Sequence, residues 1–330
     1  MTLALVPFAV DLPTSLGLAS DALRVRLAPG EQHADLWPAI DSSIRSARAT
    51  GGLLRSEGVA HGVVVWEPAG PLGVAVRLLY LAPAAASTES YHEALDLTER
   101  AAGPIAFAPG PLAGLSAEEE SRLMTGRGYA PYARLEMGFP ATSPLPATPS
   151  LPKGEVRPVH PDDEPLLARL HENAYRYHLD RYLSIEDADP ARDSDHQLRD
   201  YFGGRWGPPL SPGSTVVVLD GRIVAAALAV QRTSKVLIID VMAEPTLQGK
   251  GLGRAALAGA LAALRDRGAT AIVLNVTEAN ERAVRLYTGL GFVRTLGPSQ
   301  EWYNARRMRV EIPPAAAGHS VGAGTDSAGR

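Results

Sequence analysis

Residues 236–292 constrain this chain more than any other stretch. An apolar strand runs into Gln248-Gly249-Lys250-Gly251-Leu252-Gly253-Arg254, then a helix, a second strand, and Asn280…Leu286-Tyr287…Gly289-Leu290-Gly291-Phe292. A glycine-rich turn that opens a helix aims several backbone N–H groups and a positive helix end at one anion, the geometry a pyrophosphate needs. The turn reads as a phosphate cradle. A Walker-type loop requires Ser or Thr after Gly-Lys, whereas Gly251 follows Lys250. A dinucleotide fingerprint could be laid over Gly251, Gly253 and Ala256. It is disfavoured because residues 245–250 separate the strand end at Glu244 from the first of these glycines, and no acidic residue ends the next strand, residues 271–276.

What remains is Gln-x-x-Gly-x-Gly after a strand ending in Ala243-Glu244-Pro245, followed by Asn280, Ala283, Leu286, Tyr287, Gly291 and Phe292 as Asn-x-x-Ala-x-x-Leu-Tyr-x-x-x-Gly-Phe. Together these two patterns resemble the acetyl-coenzyme A site of the GNAT acetyltransferases. The resemblance implies that acetyl-coenzyme A is the cosubstrate, held by Gln248, Gly249, Lys250, Gly251, Leu252, Gly253, Arg254 and Asn280. It also implies two strands that splay apart around the pantetheine arm. Val241, Met242 and Ala243 would line that arm, with the backbone of Val241 and Ala243 pairing with its amides as an added strand would.

At 330 residues, 45% hydrophobic and 21% charged, the chain is long enough for two ordinary cores. Residues 139–154 divide it near the middle: Pro140, Pro144, Pro146, Pro149 and Pro152 among Ser, Thr and Ala build an extended linker rather than a core. The expected organisation is 1–139, a linker 140–153, 154–312, and a disordered tail 313–330 of Ala, Gly and Ser. With no cysteine there is no thiol nucleophile, disulfide or cysteine-ligated zinc. The apolar residues 1–10 lack a basic flank and are interrupted by Pro7, Asp11 and Pro13, so no signal peptide is expected. No run approaches the roughly 18 apolar residues that span a bilayer. The expectation is a cytoplasmic protein with no membrane partner, and a formal charge of −4 argues against nucleic acid.

The halves read as copies. Arg122-Leu123-Met124-Thr125-Gly126-Arg127-Gly128-Tyr129 matches Arg285-Leu286-Tyr287-Thr288-Gly289-Leu290-Gly291-Phe292 at a constant offset of 163, Arg122 standing against Arg285. Upstream, residues 62–66 and 74–81 read as strands, 91–101 as a helix and 104–108 as a strand, the order of the second half. Where the cradle should stand, residues 82–88 are Ala-Pro-Ala-Ala-Ala-Ser-Thr, and Met124 replaces the tyrosine. The first half is expected to bind no cosubstrate and to catalyse nothing. In the second half, residues 214–219 and 223–230 are strands joined at Asp220-Gly221, and residues 235–243 are the next strand. Leu257, Ala260, Leu261 and Leu264 keep helical spacing up to a stop at Gly268. The strand at residues 271–276 should run parallel to residues 235–243 across that helix. The fold class is therefore α/β (α+β): two tandem GNAT-like domains, each a mixed, mostly antiparallel sheet with a central splayed parallel pair, flanked by helices. A fragment beginning at residue 150 should keep the cosubstrate site.

Transfer of acetyl to an amine needs a proton donor for the departing thiolate and an acceptor for the amine proton. By resemblance the donor is Tyr287, since a phenol with a reference pKa of about 10 stays protonated at neutral pH and faces a thiolate of about 8.5. An N–H within residues 241–243 would stabilise the oxyanion. The ribosomal-protein N-terminal acetyltransferases of the family carry a glutamate twelve residues before the tyrosine. Here that position is Asn275, which can only orient a water. Asp240 is the first carboxylate candidate for the base, followed by Glu244 and Glu278, each weighed against a plain solvated charge. Without a strong base, an α-amine (pKa about 8) costs on the order of 1.4 kcal/mol to deprotonate at pH 7, and a lysine about 4.6. That leans toward α-amines or other low-pKa amines.

Acceptor choice is expected to reside in residues 171–209, where the family places a variable helix pair. The segment combines Tyr175, Tyr177, Tyr182, Tyr201, Phe202 and Trp206 with Asp180, Arg181, Glu186, Asp187, Arg199 and Asp200. His171-Glu172 lacks a zincin's second histidine and Asp187-Ala188-Asp189-Pro190 a calcium loop's glycine, so no metal is expected. The partners implied are a small-molecule or peptide amine, with the protein a monomer or homodimer. The two-repeat layout also resembles the mycothiol synthases, which implies an aminosugar-thiol precursor as an alternative acceptor. A catalytically idle acyl-coenzyme A sensor is the alternative outside enzymes.

Overall fold

Asp220 and Gly221 both hold positive φ, 46° and 74°. They close β8 (Thr215–Leu219) onto β9 (Arg222–Gln231) with Leu219 opposite Arg222, the two-residue turn that Asp-Gly favours. β10 (Val236–Ala243) continues the antiparallel meander, and α8 (Leu252–Asp266) returns the chain to β11 (Ile272–Thr277), parallel to β10. Gly268 ends the crossover with φ 80°. β7 (Gly154–Pro158) forms the outer edge. Over one face lie α5 (Glu164–Tyr175), α6 (Leu179–Tyr182) and α7 (Pro190–Phe202); α9 (Glu281–Thr288) follows β11. The computed structural model describes residues 2–8, 12–26, 33–149, 151, 154–176, 179–182, 187, 189–295 and 299–305. The tail expected at 313–330 lies outside these residues, as do Tyr177 and Glu186.

The first half repeats the plan. β1 (Ala4–Pro7), α1 (Leu12–Arg26) and α2 (His33–Arg45) precede β2 (Thr50–Ser56), β3 (Val59–Pro68) and β4 (Val74–Leu81). Then come α3 (Thr88–Ala102), β5 (Ile105–Pro109) parallel to β4, α4 (Ala117–Gly126) and β6 (Tyr129–Phe139). Residues 140–149 carry no helix or strand, and Arg265 of α8 donates to the carbonyls of Pro140 and Ala141.

In space the halves are not separate. Among the described residues one 13-stranded sheet runs β1-β2-β3-β4-β5-β13-β6-β11-β10-β9-β8-β7, with the short β12 (Val293–Arg294) beside β6 and β13 formed by Ser299–Asn304. β6 leaves the first half to pair with β11, and β13 leaves the second half to pair with β5. Each carries core residues with it. Leu135, Met137 and Phe139 of β6 pack among the β9, β10 and α8 side chains. Trp302 of β13 is fully buried in the core of β3–β5, α3 and α4. A cut at residue 150 would therefore strip β11 of its neighbour and part of its core, so the second half, expected to keep the cosubstrate site on its own, does not hold its whole sheet within its own residues. Among the described residues no helix is long and apolar enough to cross a membrane.

Candidate active site

The site starts from two backbone facts. β10 and β11 pair only at Val236, Leu237 and Ile238 against Ile272, Val273 and Leu274, and then part. On its other edge β10 carries a bulge against β9 between Ile238 and Asp240. Leu237 and Ile239 pack under α5 and α7, and Ile238 under α8. Strict alternation would then turn Asp240 toward α8. The extra residue re-aims it, so that Asp240 follows Ile239 onto the α5 face, where the Tyr175 hydroxyl donates to its Oδ1. Beyond the bulge Glu244 N–H donates to Val224 O on the β9 side at 2.8 Å, so alternation turns the N–H groups of Val241 and Ala243 to the open side.

The opening is a cavity of about 540 Å³ bounded by the parted strands, the turn before α8 and the buried face of α9. Gly249 and Gly251 take φ 83° and 78°, a left-handed conformation that glycine adopts without strain. Gly251 N-caps α8 with no side chain over the helix end. The first helical bond there is Ala255 N–H to Gly251 O, 2.9 Å, which leaves the N–H groups of Leu252, Gly253 and Arg254 aimed outward. Uncapped donors beside an open cavity fit a phosphate. Gln248, Gly249, Gly251, Leu252, Gly253 and Arg254 line the cavity; Lys250 is exposed and does not. Arg254 donates to Gly289 O at 3.0 Å and Arg282 to Gln248, tying the cradle to α9. Asn280 caps α9 through Ala283 N–H at 3.1 Å and lines the cavity, as do Val241, Met242 and Ala243.

The equivalent turn of the first half is closed. Ser87 caps α3, accepting from Ser90 N–H at 3.1 Å, and the loop at Gly114 lies so near that a Cβ there would stand 2.6 Å from Ala86 Cβ. Met124 is fully buried.

A second cavity of about 270 Å³ lies under α5, α6 and α7. It meets the first along a shared wall of Tyr175, Asp180, Ile238, Ile239, Asp240 and Asn275. Asp240 stands at the junction. Burial raises its pKa from 3.8 to about 7 and the nearby Asp180 charge adds to the rise, while Tyr175 and the Val241 N–H pull against it. His171 Nε2 lies 3.8 Å from Asp240 Oδ2. Burial, helped by the Arg181 charge, lowers the imidazole to about 4, so this contact is between a carboxyl and a neutral ring and is no ion pair. The ring is held by Ser194 Oγ at 2.9 Å and by Tyr175, 4.7 Å between centroids.

Tyr287 reaches the same junction from α9. It is buried, and its ring packs 5.9 Å from Phe292. Burial raises its pKa above the ordinary phenol value, Asp240 and Asp180 raise it further, and Arg134 opposes them. Tyr287 therefore stays a phenol across the neutral range. The other carboxylate candidates stand apart: Glu244 accepts from Asn173 at 3.1 Å and Glu278 pairs with Arg294 at 3.2 Å, and neither lines either of these two cavities. Among the described residues no three His, Asp or Glu gather as a metal site would need.

Tyr175 and Asp180 were legible as members of the aromatic and charged segment over the acceptor, though not as neighbours of Asp240. Arg134 carried no signal, because it belongs to the other half of the sequence.

A splayed parallel pair with an open cradle at one end and a carboxyl and a phenol at its middle defines an acyltransferase of the GNAT class. The family model for the acetyltransferase (GNAT) family matches residues 172–292. The chain is similar to the mycothiol acetyltransferase of Thermomonospora curvata, 30% identical over 263 residues, which are 76% of this chain and 82% of that protein. It is also similar to the mycothiol acetyltransferase of Thermobispora bispora, 35% identical over 181 residues, 53% of this chain and 58% of that one. In fold it resembles a GCN5-related N-acetyltransferase from Sphaerobacter thermophilus, with TM-score 0.64 at 15% identity over 91% of this chain and 95% of that one. A tandem GNAT protein from the clavulanic acid biosynthesis pathway gives TM-score 0.59 at 18% identity over 91% and 97%. The chain belongs to the GNAT acetyltransferase family, and it is an N-acetyltransferase built of two GNAT-like halves.

Proposed function

We propose that the second half transfers acetyl from acetyl-coenzyme A to a small, polar primary amine, with Asp240 as base and Tyr287 as acid. The observation that carries this reading is the meeting of the two cavities at Asp240, beside which Tyr287 opens into the cosubstrate side. When bound, acetyl-coenzyme A supplies the thioester. The cradle N–H groups of residues 252–254 hold its pyrophosphate, with Gln248, Gly249, Gly251 and Asn280 around it, and the outward N–H groups of Val241 and Ala243 receive the pantetheine arm.

Asp240 accepts the proton lost by the amine as the new C–N bond forms. A base of about 7 against an α-amine of about 8 leaves roughly one unit to overcome, so no stronger carboxylate is needed. Tyr287 donates to the sulfur as the C–S bond breaks. Its weakened acidity makes this first a hydrogen bond and then a proton transfer. Asn275, on the wall of both cavities, is placed to orient a water beside Asp240.

The similarity to mycothiol acetyltransferases favours an aminosugar-thiol conjugate over a peptide α-amine as acceptor. The test is a panel of such conjugates, simple aminosugars and short peptides, each incubated with acetyl-coenzyme A and read by mass spectrometry for an amide product stable to hydroxylamine. Acetylation of peptides alone would reverse the preference; acetylation of none, with acetyl-coenzyme A bound, would favour the sensor.

A further inference from the structure

The strand exchange places one side chain of the first half in the acceptor cavity. Arg134 sits on β6 opposite Thr277, the last residue of β11, and lines the cavity under α5, α6 and α7; among the described residues it is the only one of the first half on the wall of either cavity of the site. Its Nη1 donates to Thr277 Oγ1 at 3.2 Å and lies 3.6 Å from Asp180 Oδ1, and Thr277 in turn donates to Asp180. That ring of contacts joins β6, β11 and α6 and anchors the guanidinium at Nη1. A guanidinium carries five N–H donors in a rigid fork. Among the described residues these hydrogen-bond and ion-pair contacts are both made by Nη1, which leaves the rest of the fork to a ligand.

The charge beside Arg134 says which ligand group it takes, while Arg232, on the same cavity wall, donates to Trp206 O at 2.7 Å. Arg134 faces Asp180, and Arg181 faces Asp193 at 3.6 Å. The counter-charge of Arg134 is thus already supplied. An acceptor carboxylate or phosphate drawn to it would also meet Asp180, whereas a neutral hydroxyl oxygen accepts from the fork without adding charge. Trp206 lines the same cavity.

We infer that Arg134 is a specificity-determining residue supplied by the first half, which hydrogen-bonds a hydroxyl group of the acceptor. This deepens the acetyltransferase reading and rests on it: the second half binds the cosubstrate, and the first half helps choose the amine.

The test is binding, so that it does not depend on turnover. Titration calorimetry measures D-glucosamine, cyclohexylamine and glucosamine 6-phosphate against the full chain, with and without coenzyme A, for wild type, Arg134→Gln, Arg134→Lys and the exposed control Arg122→Gln. Expected are tighter binding of glucosamine than of cyclohexylamine by wild type, and a roughly 10- to 100-fold loss for glucosamine alone in Arg134→Gln. Arg134→Lys should fall between, while coenzyme A affinity and the control stay unchanged. Equal losses for both neutral amines, no preference in wild type, or glucosamine 6-phosphate binding best and losing most would each overturn the inference. If the preference follows Arg134 but no amine is acetylated, the transfer reading fails and the binding role stands.

Discussion

The indole N–H of Trp302 donates to Oε1 of Glu120 over 2.6 Å, and the two residues come from opposite halves of the chain. Glu120 is buried, and its other oxygen accepts from Leu112 N–H at 2.9 Å, so each oxygen has one donor. Trp302→Phe keeps an aromatic filler but leaves a buried carboxylate oxygen without its donor, a loss of about 1–3 kcal/mol. The deficit falls in the first half's core although the substitution is in the second. Because one sheet joins the halves, calorimetry should show a single cooperative transition moved down in temperature. Two separable transitions, only one of them shifted, would show that the halves unfold independently.

As the proposed base, Asp240 should set the acid limb of activity. With its pKa raised to about 7, kcat/KM should climb through that pH, and burial and the neighbouring carboxylates keep Tyr287 from contributing an alkaline limb until well past its ordinary value. The groups facing Asp240 are Tyr175 and His171 from α5, Asp180 from α6 and Tyr287 from α9. Removing the Tyr175 hydroxyl by substitution to Phe takes away a contact that favours the carboxylate, so the limb should move to higher pH. Asp240→Asn should abolish it together with most turnover. Stability has the opposite sense. A folded pKa above the unfolded value contributes stability below about pH 4 that is lost as pH rises through 7. Asp240→Asn should therefore melt higher than wild type at pH 8, by at most about 4 kcal/mol, and the gain should shrink toward pH 4. A limb unmoved in both variants would assign the base elsewhere.

What the sequence made legible was what local chemistry dictates. The Asp220-Gly221 hairpin, the strand, turn and helix around Gly249 and Gly251, and the stop at Gly268 each depend on a few adjacent residues with one conformational solution. Asp240 could be named as a carboxylate near the right strand, but its direction depends on a bulge against β9, and a bulge is a property of two strands in register. The strand exchange was hidden for a related reason. The repeat at offset 163 shows that the halves share a plan, yet β6 and β13 suit either core in composition, and nothing local says which edge each one joins. Arg134 was lost with it.

Gly253→Asp separates cradle from fold. Gly253 is helical, and a Cβ there would stand 3.7 Å from Leu286 Cδ2, an ordinary contact. A carboxylate in the first turn even suits the helix dipole, so the melting temperature should hold or rise. Yet the same carboxylate would stand where the pyrophosphate accepts from the uncapped N–H groups. Calorimetry should find acetyl-coenzyme A binding lost, against one molecule per wild-type chain, since Ser87 occupies the equivalent helix end of the first half. Retained affinity in the folded variant, or two molecules per wild-type chain, would contradict this placement.

Tyr287→Phe tests the acid with the least disturbance. The ring packs against Phe292, which packs in turn against Phe139 of the exchanged strand at 5.4 Å, and phenylalanine keeps both contacts. The hydroxyl has no hydrogen-bond partner among the described residues, so its removal orphans nothing and the fold should hold. Acetyl-coenzyme A should bind as before. Turnover should fall by roughly 10²–10⁴, the range for losing a positioned general acid, and kcat should carry the loss while KM for the acceptor changes little. Asn275→Ala should cost less, because a water can be placed by Tyr175 and Asp240 alone. Steady-state kinetics followed by acetylated product decide the matter: undiminished kcat in Tyr287→Phe would mean that solvent protonates the sulfur, and an equal loss in Asn275→Ala would make the ordered water, not the phenol, the proton path.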